Sequence, residues 1–145
     1  MAKFVYKMEN ILSIKYKMEE QAKGEFAAAQ AALNAEEDKL EALEQKKLYY
    51  EKTLAKLLLD RLALLDIKST EEAIEVMKYH IEEQKRVIRK CEEQLEIARN
   101  VLNEAMIERK THEKLKEKAF EEFKKEVEKE ERRDVDELVS YRFRP

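Results

Sequence analysis

The 145-residue sequence has one glycine (Gly24), one proline (Pro145), one cysteine (Cys91) and no tryptophan. A chain with almost no glycine and no internal proline builds few tight turns, which excludes hairpin-rich β architectures. A phosphate-cradling loop needs several glycines, so nucleotide-binding folds of that kind are excluded too. One thiol forms no internal disulfide, which points to a reduced, cytosolic chain. The longest apolar runs, Leu57-Leu58-Leu59 and Leu62-Ala63-Leu64-Leu65, fall far short of a membrane span. Glu9 breaks up the early apolar residues before a signal-peptide core forms.

What remains is charge and helix formers. Asp, Glu, Lys and Arg make up 43% of the residues, 30 basic against 33 acidic, for a net charge of −3. The two signs interleave as on a solvated helix face. No basic stripe stands out, so nucleic acid is not expected as a partner. The first 23 residues carry five Lys and three Glu, a mild excess that a solvated face accounts for. Such a composition predicts long helices and coiled coil.

A seven-residue grid fits the first half: Val5, Met8, Leu12, Lys15, Glu19, Ala22, Phe26, Ala29, Leu33, Glu36, Leu40, Leu43, Lys47, Tyr50, Leu54, Leu57, Arg61 and Leu64. Thirteen of these eighteen are apolar, where chance gives about eight. Phe4, Ile11 and Met18 compete for the same stripe, which predicts a register shift between Met18 and Phe26. A second grid runs through Ile74, Met77, Ile81, Gln84, Ile88, Cys91, Leu95, Ala98, Leu102 and Ala105, nine of ten apolar. It continues more polar through Arg109, His112, Lys116, Ala119, Phe123, Glu126 and Glu130.

Between the grids, Ser69 followed by Glu72 reads as a capping box, the start of a new helix. The expected architecture is all-α: a long two-helix antiparallel coiled-coil hairpin in a single domain. Helix 1 is expected at 4–65, the turn at 66–69, helix 2 at 70–139 and a tail at 140–145. Folding back there makes partner numbers sum to 134 or 135. Leu57 then faces Met77, Leu54 faces Ile81, Tyr50 faces Gln84, Leu43 faces Cys91, Leu40 faces Leu95, Leu33 faces Leu102 and Ala29 faces Ala105. Toward the termini the rungs turn poor: Phe26 meets Arg109, Ala22 meets His112, Glu19 meets Lys116, Met8 meets Glu126 and Val5 meets Glu130. Glu36 is expected near Arg99.

Two helices alone enclose no pocket, so catalysis and a small-molecule substrate are not expected. Glu108 and His112, one turn apart, are read as a solvated pair rather than metal ligands, and Cys91 as a buried seam residue. The leucines around the turn cover more of helix 1 than one partner helix hides, which marks a contact surface. A generic cytoplasmic scaffold, including a parallel homodimer of one unbroken helix, shares this composition.

The stretch Phe4-Val5-Tyr6-Lys7-Met8-Glu9-Asn10-Ile11-Leu12-Ser13-Ile14-Lys15, with Glu19, Glu20, Ala22 and Lys23, resembles the flagellar export protein FliJ family. Glu108-Arg109-Lys110 with Glu113 and Leu115, and the late Asp134, Asp136 and Glu137 before an aromatic residue, match that pattern more weakly. The resemblance implies a soluble, stalk-like component of the flagellar type III export apparatus at the inner face of the plasma membrane. The partners it implies are the hexameric export ATPase, the membrane export gate and export chaperones. Within that frame the terminal residues Phe4, Tyr6, Met8, Arg142, Phe143 and Arg144 are the candidates for the ATPase. Leu58, Leu62, Leu65, Ile74, Val76, Met77 and Tyr79 are the candidates for the gate or chaperones. Ala73 departs from the family, which tends to carry an aromatic residue and Leu nearby.

Overall fold

Two helices, α1 (Glu9–Leu57, 49 residues) and α2 (Leu64–Arg142, 79 residues), account for nearly all of the chain in a computed structural model that describes residues 2–60 and 63–143. They pack on each other as an antiparallel hairpin, with no strand among the described residues. The sequence dictates this locally. Both helices are rich in Glu, Lys, Ala and Leu, each starts with an acidic residue in its first turn (Glu9, Asp66), and each ends with a basic one (Lys56, Arg142). Those charges sit favourably at the ends of the helix dipoles.

Both grids fall on the contact stripe. Every grid position from Leu12 to Leu57 is buried or half-buried, and so is every one from Ile74 to Phe123. No shift of register occurs between Met18 and Phe26: Lys15, Glu19, Ala22 and Phe26 follow one another on the stripe, while Ile11 and Met18 are exposed. The first grid fails at Val5 and Met8, both exposed because α1 begins at Glu9, and at Leu64, exposed at the start of α2, while Arg61 lies outside the described residues.

The turn, however, lies earlier than expected. α1 ends at Leu57 rather than 65, and α2 starts at Leu64 rather than 70. Short i→i+3 bonds tighten the end of α1: the Leu59 N–H donates to the Lys56 carbonyl at 3.2 Å and the Asp60 N–H to the Leu57 carbonyl at 3.0 Å. The Ala63 carbonyl then accepts from the Ile67 N–H at 2.9 Å, opening α2. Ser69 is therefore an exposed residue inside α2. Thr70 donates its hydroxyl to the Asp66 carbonyl at 2.8 Å, a habit of mid-helix threonines. The physical reason is the stripe itself. Ala63, Ile67 and Thr70 continue the second grid backwards and are half-buried, so helix 2 gains that contact by starting sooner.

Moving the turn changes the register. Gln84 reaches Glu36, numbers that sum to 120. Arg99 lies over the Phe26 ring, a sum of 125. Glu19 binds Arg109, a sum of 128. Against 134 or 135 this is a slip of about ten residues, close to three seam steps of about 3.5 residues each.

The chain divides into two compact units, Lys23–Val101 and Met1–Ala22 with Leu102–Pro145. In the first, Leu33, Ile88 and Leu95 form the core, with Phe26, Ala29, Leu40 and Cys91 packed on it. Leu33 and Ala29 thus pack with Ile88, Leu95 and Cys91, not with Leu102 and Ala105, and the partner expected for Tyr50, Gln84, belongs to Glu36. In the second unit Leu12, Glu19, Ala22 and Ala105 are buried.

One substitution measures the seam and a second separates this turn from the expected one. Leu33→Ala should cost about 2 kcal/mol, the low end for a buried leucine because a two-helix seam collapses easily. Ser69→Ala should change stability by less than about 0.5 kcal/mol, whereas loss of a working helix cap costs about 1 kcal/mol. Urea unfolding followed by circular dichroism measures both, and a clear penalty at Ser69 would put the turn back at 66–69.

Candidate partner-binding surfaces

In the unit that holds both chain ends, the seam is polar at its middle. Arg109 donates to both carboxylate oxygens of Glu19, at 2.5 and 3.2 Å, and to Glu113 at 3.0 Å. The Tyr16 hydroxyl also donates to Glu113, and its ring lies 6.0 Å from the Arg109 guanidinium. Lys15 donates to Glu108 at 2.8 Å, and Lys116 pairs with Glu9 at 2.8 Å. Glu19 is only 4% exposed, so a forked guanidinium meets a carboxylate out of water. The cation expected for Glu19 was Lys116; the earlier turn supplies Arg109 instead.

These contacts shift the carboxylates downward. The Tyr16 hydroxyl, then Arg109, hold Glu113 below the usual carboxylate range. Gln84, then Lys39, do the same for Glu36, and Lys15 does so for Glu108. The bond to Glu19 pushes Arg109 up, keeping the guanidinium charged. The bond to Glu113 raises Tyr16, which stays a neutral donor.

The N-terminal candidates are partly occupied. Phe4 packs against Phe120 and Phe123, ring centres 5.1 and 5.3 Å away. Tyr6 is half-buried, and its carbonyl accepts from the Glu9 N–H at 3.3 Å; Met8 is exposed. Residues 2–8 precede the helix, so Phe4 rather than Val5 turns inward, a choice no heptad grid encodes.

The C-terminal candidates lie elsewhere. Arg142 ends α2 and Phe143 is 81% exposed, while Arg144 lies outside the described residues. Twenty residues separate Phe143 from Phe123, about 30 Å of helix. The two halves of the candidate ATPase surface are therefore not brought together, because the earlier turn lets α2 outrun α1. Every residue from 128 to 143 is exposed. Val135, Leu138, Val139 and Tyr141 form an unpaired apolar run there that the sequence reading missed. Its i, i+3, i+4 spacing at 135, 138 and 139 was the available signal.

At the turn, Leu58, Leu59, Leu64 and Leu65 are exposed, Leu59 by 88%, and Leu62 lies outside the described residues. Leu65, Val76 and Tyr79 share the outward stripe of α2, since steps of eleven and three return close to one helix face. Ile74 and Met77 do not join them: both are buried in the seam. They held grid positions, and the seam is where such residues go. Cys91 is half-buried against the core and Glu108 is held by Lys15. Among the described residues no group of His, Cys, Asp and Glu is arranged to hold a metal, and no helix is long and apolar enough to cross a membrane.

The structure therefore defines a helical hairpin whose chemistry is contact: a filled seam, a polar layer and apolar residues left uncovered at the turn and along the end of α2. The model of the flagellar FliJ protein family matches residues 4–145, and the chain belongs to that family. Membership makes it a component of flagellar protein export. No curated protein and no solved structure matches the chain.

Acid should weaken both units, through Glu108 and Glu113 in the one that holds the chain ends and Glu36 in the other. Glu113, Glu36 and Glu108 titrate lower in the folded chain, so the unfolded chain takes up their protons first. Their contribution is complete above the ordinary carboxylate pKa of about 4.3 and is lost as pH falls through the lower folded values. The thermal midpoint should thus hold from pH 7 to about pH 5 and drop below pH 4. A midpoint that rises on acidification would contradict the assignment. Arg109→Leu should lower the midpoint more than the double change Glu19→Leu with Arg109→Leu, because the single change takes the forked partner from a buried carboxylate.

Proposed function

We propose that this chain is a non-catalytic, stalk-like coupling element of the flagellar type III export apparatus. In this reading it binds the hexameric export ATPase near its chain termini and the export gate or export chaperones near its turn, at the inner face of the plasma membrane. Support comes from the family, the N-terminal resemblance and the pattern of exposure. The observation that carries it is the apolar surface left uncovered in each of the two units, at Leu58, Leu59, Leu64 and Leu65 in one and at Val135, Leu138, Val139, Tyr141 and Phe143 in the other. Large apolar side chains left in water mark contact sites. A linkage between two machines needs one such surface for each.

The coupling is mechanical in this proposal. A long hairpin with a filled seam transmits displacement between a partner at one surface and a partner at the other, and no bond need be made or broken. Phe4, Tyr6 and Met8 remain candidates for the ATPase, with Arg142, Phe143 and Arg144 as a second, separate group. Leu58, Leu62, Leu65, Val76 and Tyr79 remain candidates for the gate or chaperones.

The test is a pull-down from a flagellated cell with the full chain as bait. Enrichment of the export ATPase is expected. Deleting residues 1–8 should reduce that enrichment at nearly constant helix content, because α1 begins only at Glu9. Undiminished capture would move the contact off Phe4, Tyr6 and Met8. Failure to enrich the ATPase with the intact chain would reject the reading.

A further inference from the structure

Past Val127, α2 carries an apolar stripe that does not belong to the hairpin seam. Continuing the second grid beyond Phe123 gives Glu126, Glu130, Arg133, Glu137 and Ser140, all polar. Val135 and Leu138 stand two residues before Glu137 and Ser140, which is about 160° round the helix. A longer α1 packed on the grid face would therefore leave them uncovered. Val135 is 57% and Leu138 62% exposed, and Val139 and Tyr141 are exposed beside them. The face suits a helix other than α1.

Steps of four, three and four line up Glu131, Val135, Leu138 and Arg142 on this stripe. The last ion pair along α2 joins Lys129 to Glu126, so Glu131 and Arg142 have no ionic partner among the described residues. The stripe is the complement of itself turned end for end. In an antiparallel pair of copies whose facing numbers sum to 273, Val135 meets the second copy's Leu138, twice over. Glu131 meets the second copy's Arg142, again twice, so an ion pair closes each end of the apolar rungs. Tyr141 comes beside the second copy's Asp134, a phenol donor next to a carboxylate. A parallel pair sets Glu131 against Glu131 and Arg142 against Arg142, and like charges so placed repel.

We infer that residues 128–142 are a self-association segment, through which two copies of this chain join by their overhanging α2 ends, antiparallel. The occupant is a second copy because the order of charges along the exposed stripe is the one its own reversal neutralises. The paired stretch is about two heptads long, short of the ~1,200 Å² that a stable interface buries. The dimer is therefore weak and reversible. It uses Arg142 and covers Val135 and Leu138, so a paired chain withholds them from any other protein. The inference stands on the chain alone and does not depend on the export reading.

Charge exchange tests the pairing. Sedimentation velocity of the purified full chain from about 10 µM to about 1 mM should show a reversible monomer–dimer equilibrium. Leu138→Asp should leave only monomer. Glu131→Arg sets like charge against Arg142 at both ends and should raise the dissociation constant at least about tenfold. Arg142→Glu should do the same against Glu131. The chain carrying both Glu131→Arg and Arg142→Glu restores both ion pairs, and its dissociation constant should return to within about threefold of the original. Circular dichroism checks that each variant keeps its helix content, as expected for positions that are exposed in the single chain.

Recovery in the double variant is the decisive result, because neither a parallel pair nor contact through another surface regains affinity when both charges are exchanged. A chain that stays monomeric throughout the concentration range overturns the proposal and leaves the stripe to a different protein. A dimer that survives Glu131→Arg or Leu138→Asp overturns it too, since the copies then meet elsewhere. So does a dimer that the two exchanges together fail to restore.

Discussion

A pair of helices hides only one stripe of each partner, and that limit governs everything else in this hairpin. With 43% of its residues charged, the chain has just enough apolar side chains to fill the stripe and some over. Those within the stripe hold the fold: Leu33, Ile88 and Leu95 at one level, Leu12, Ala22 and Ala105 in the other unit. Those left over have no helix to cover them. Their places, the turn and the last turns of α2, are a direct consequence of where the chain reverses.

A repeating seam decides that the helices pair but not how they align. Each shift by about 3.5 residues restores contact between the stripes, so the apolar residues alone leave several registers nearly equivalent. Alignment comes from what breaks the repeat. Glu36 with Gln84 and Glu19 with Arg109 are polar groups on an apolar stripe, and each pair makes its hydrogen bond across the two helices only in this alignment. A buried carboxylate without a donor is costly, so such layers exclude registers that strand them. The exposed ion pairs along each helix, such as Lys39 with Glu36 and Arg99 with Glu96, add little to that choice.

This division explains what the sequence reveals and what it hides. The stripe was legible residue by residue, because burial follows the heptad period from Leu12 to Leu57 and from Ile74 to Phe123. The turn was not. Ser69 and Glu72 look like a helix start, and a capping box contributes only about 1 kcal/mol. Extending α2 back through Thr70, Ile67 and Ala63 places three more side chains against α1, which outweighs the cap. The pattern was present in the spacing of those three residues and ran into a leucine cluster that fits either helix. Errors in the surfaces followed from that one misplacement. With the turn at 66–69, α2 runs about ten residues less far past α1; with α1 ending at Leu57 and α2 starting at Leu64 the overhang is longer, and the terminal residues divide into two groups.

The uneven helices then carry the functional argument. A hairpin with equal arms presents its ends as one surface and suits a single partner there. Here α2 runs on alone past Val127, and its exposed Val135, Leu138, Val139 and Tyr141 sit among Glu, Asp and Arg on a stretch of helix that none of the described residues covers. A lone amphipathic helix is marginal in water. It gains most from a partner that supplies the missing apolar face. The Phe4 contact with Phe120 and Phe123 marks where internal pairing ends. Everything beyond it is kept in helical form by propensity and by continuity with the paired segment. The segment is thus poised for an external contact, and its length is set by the position of the turn some seventy residues earlier in the chain.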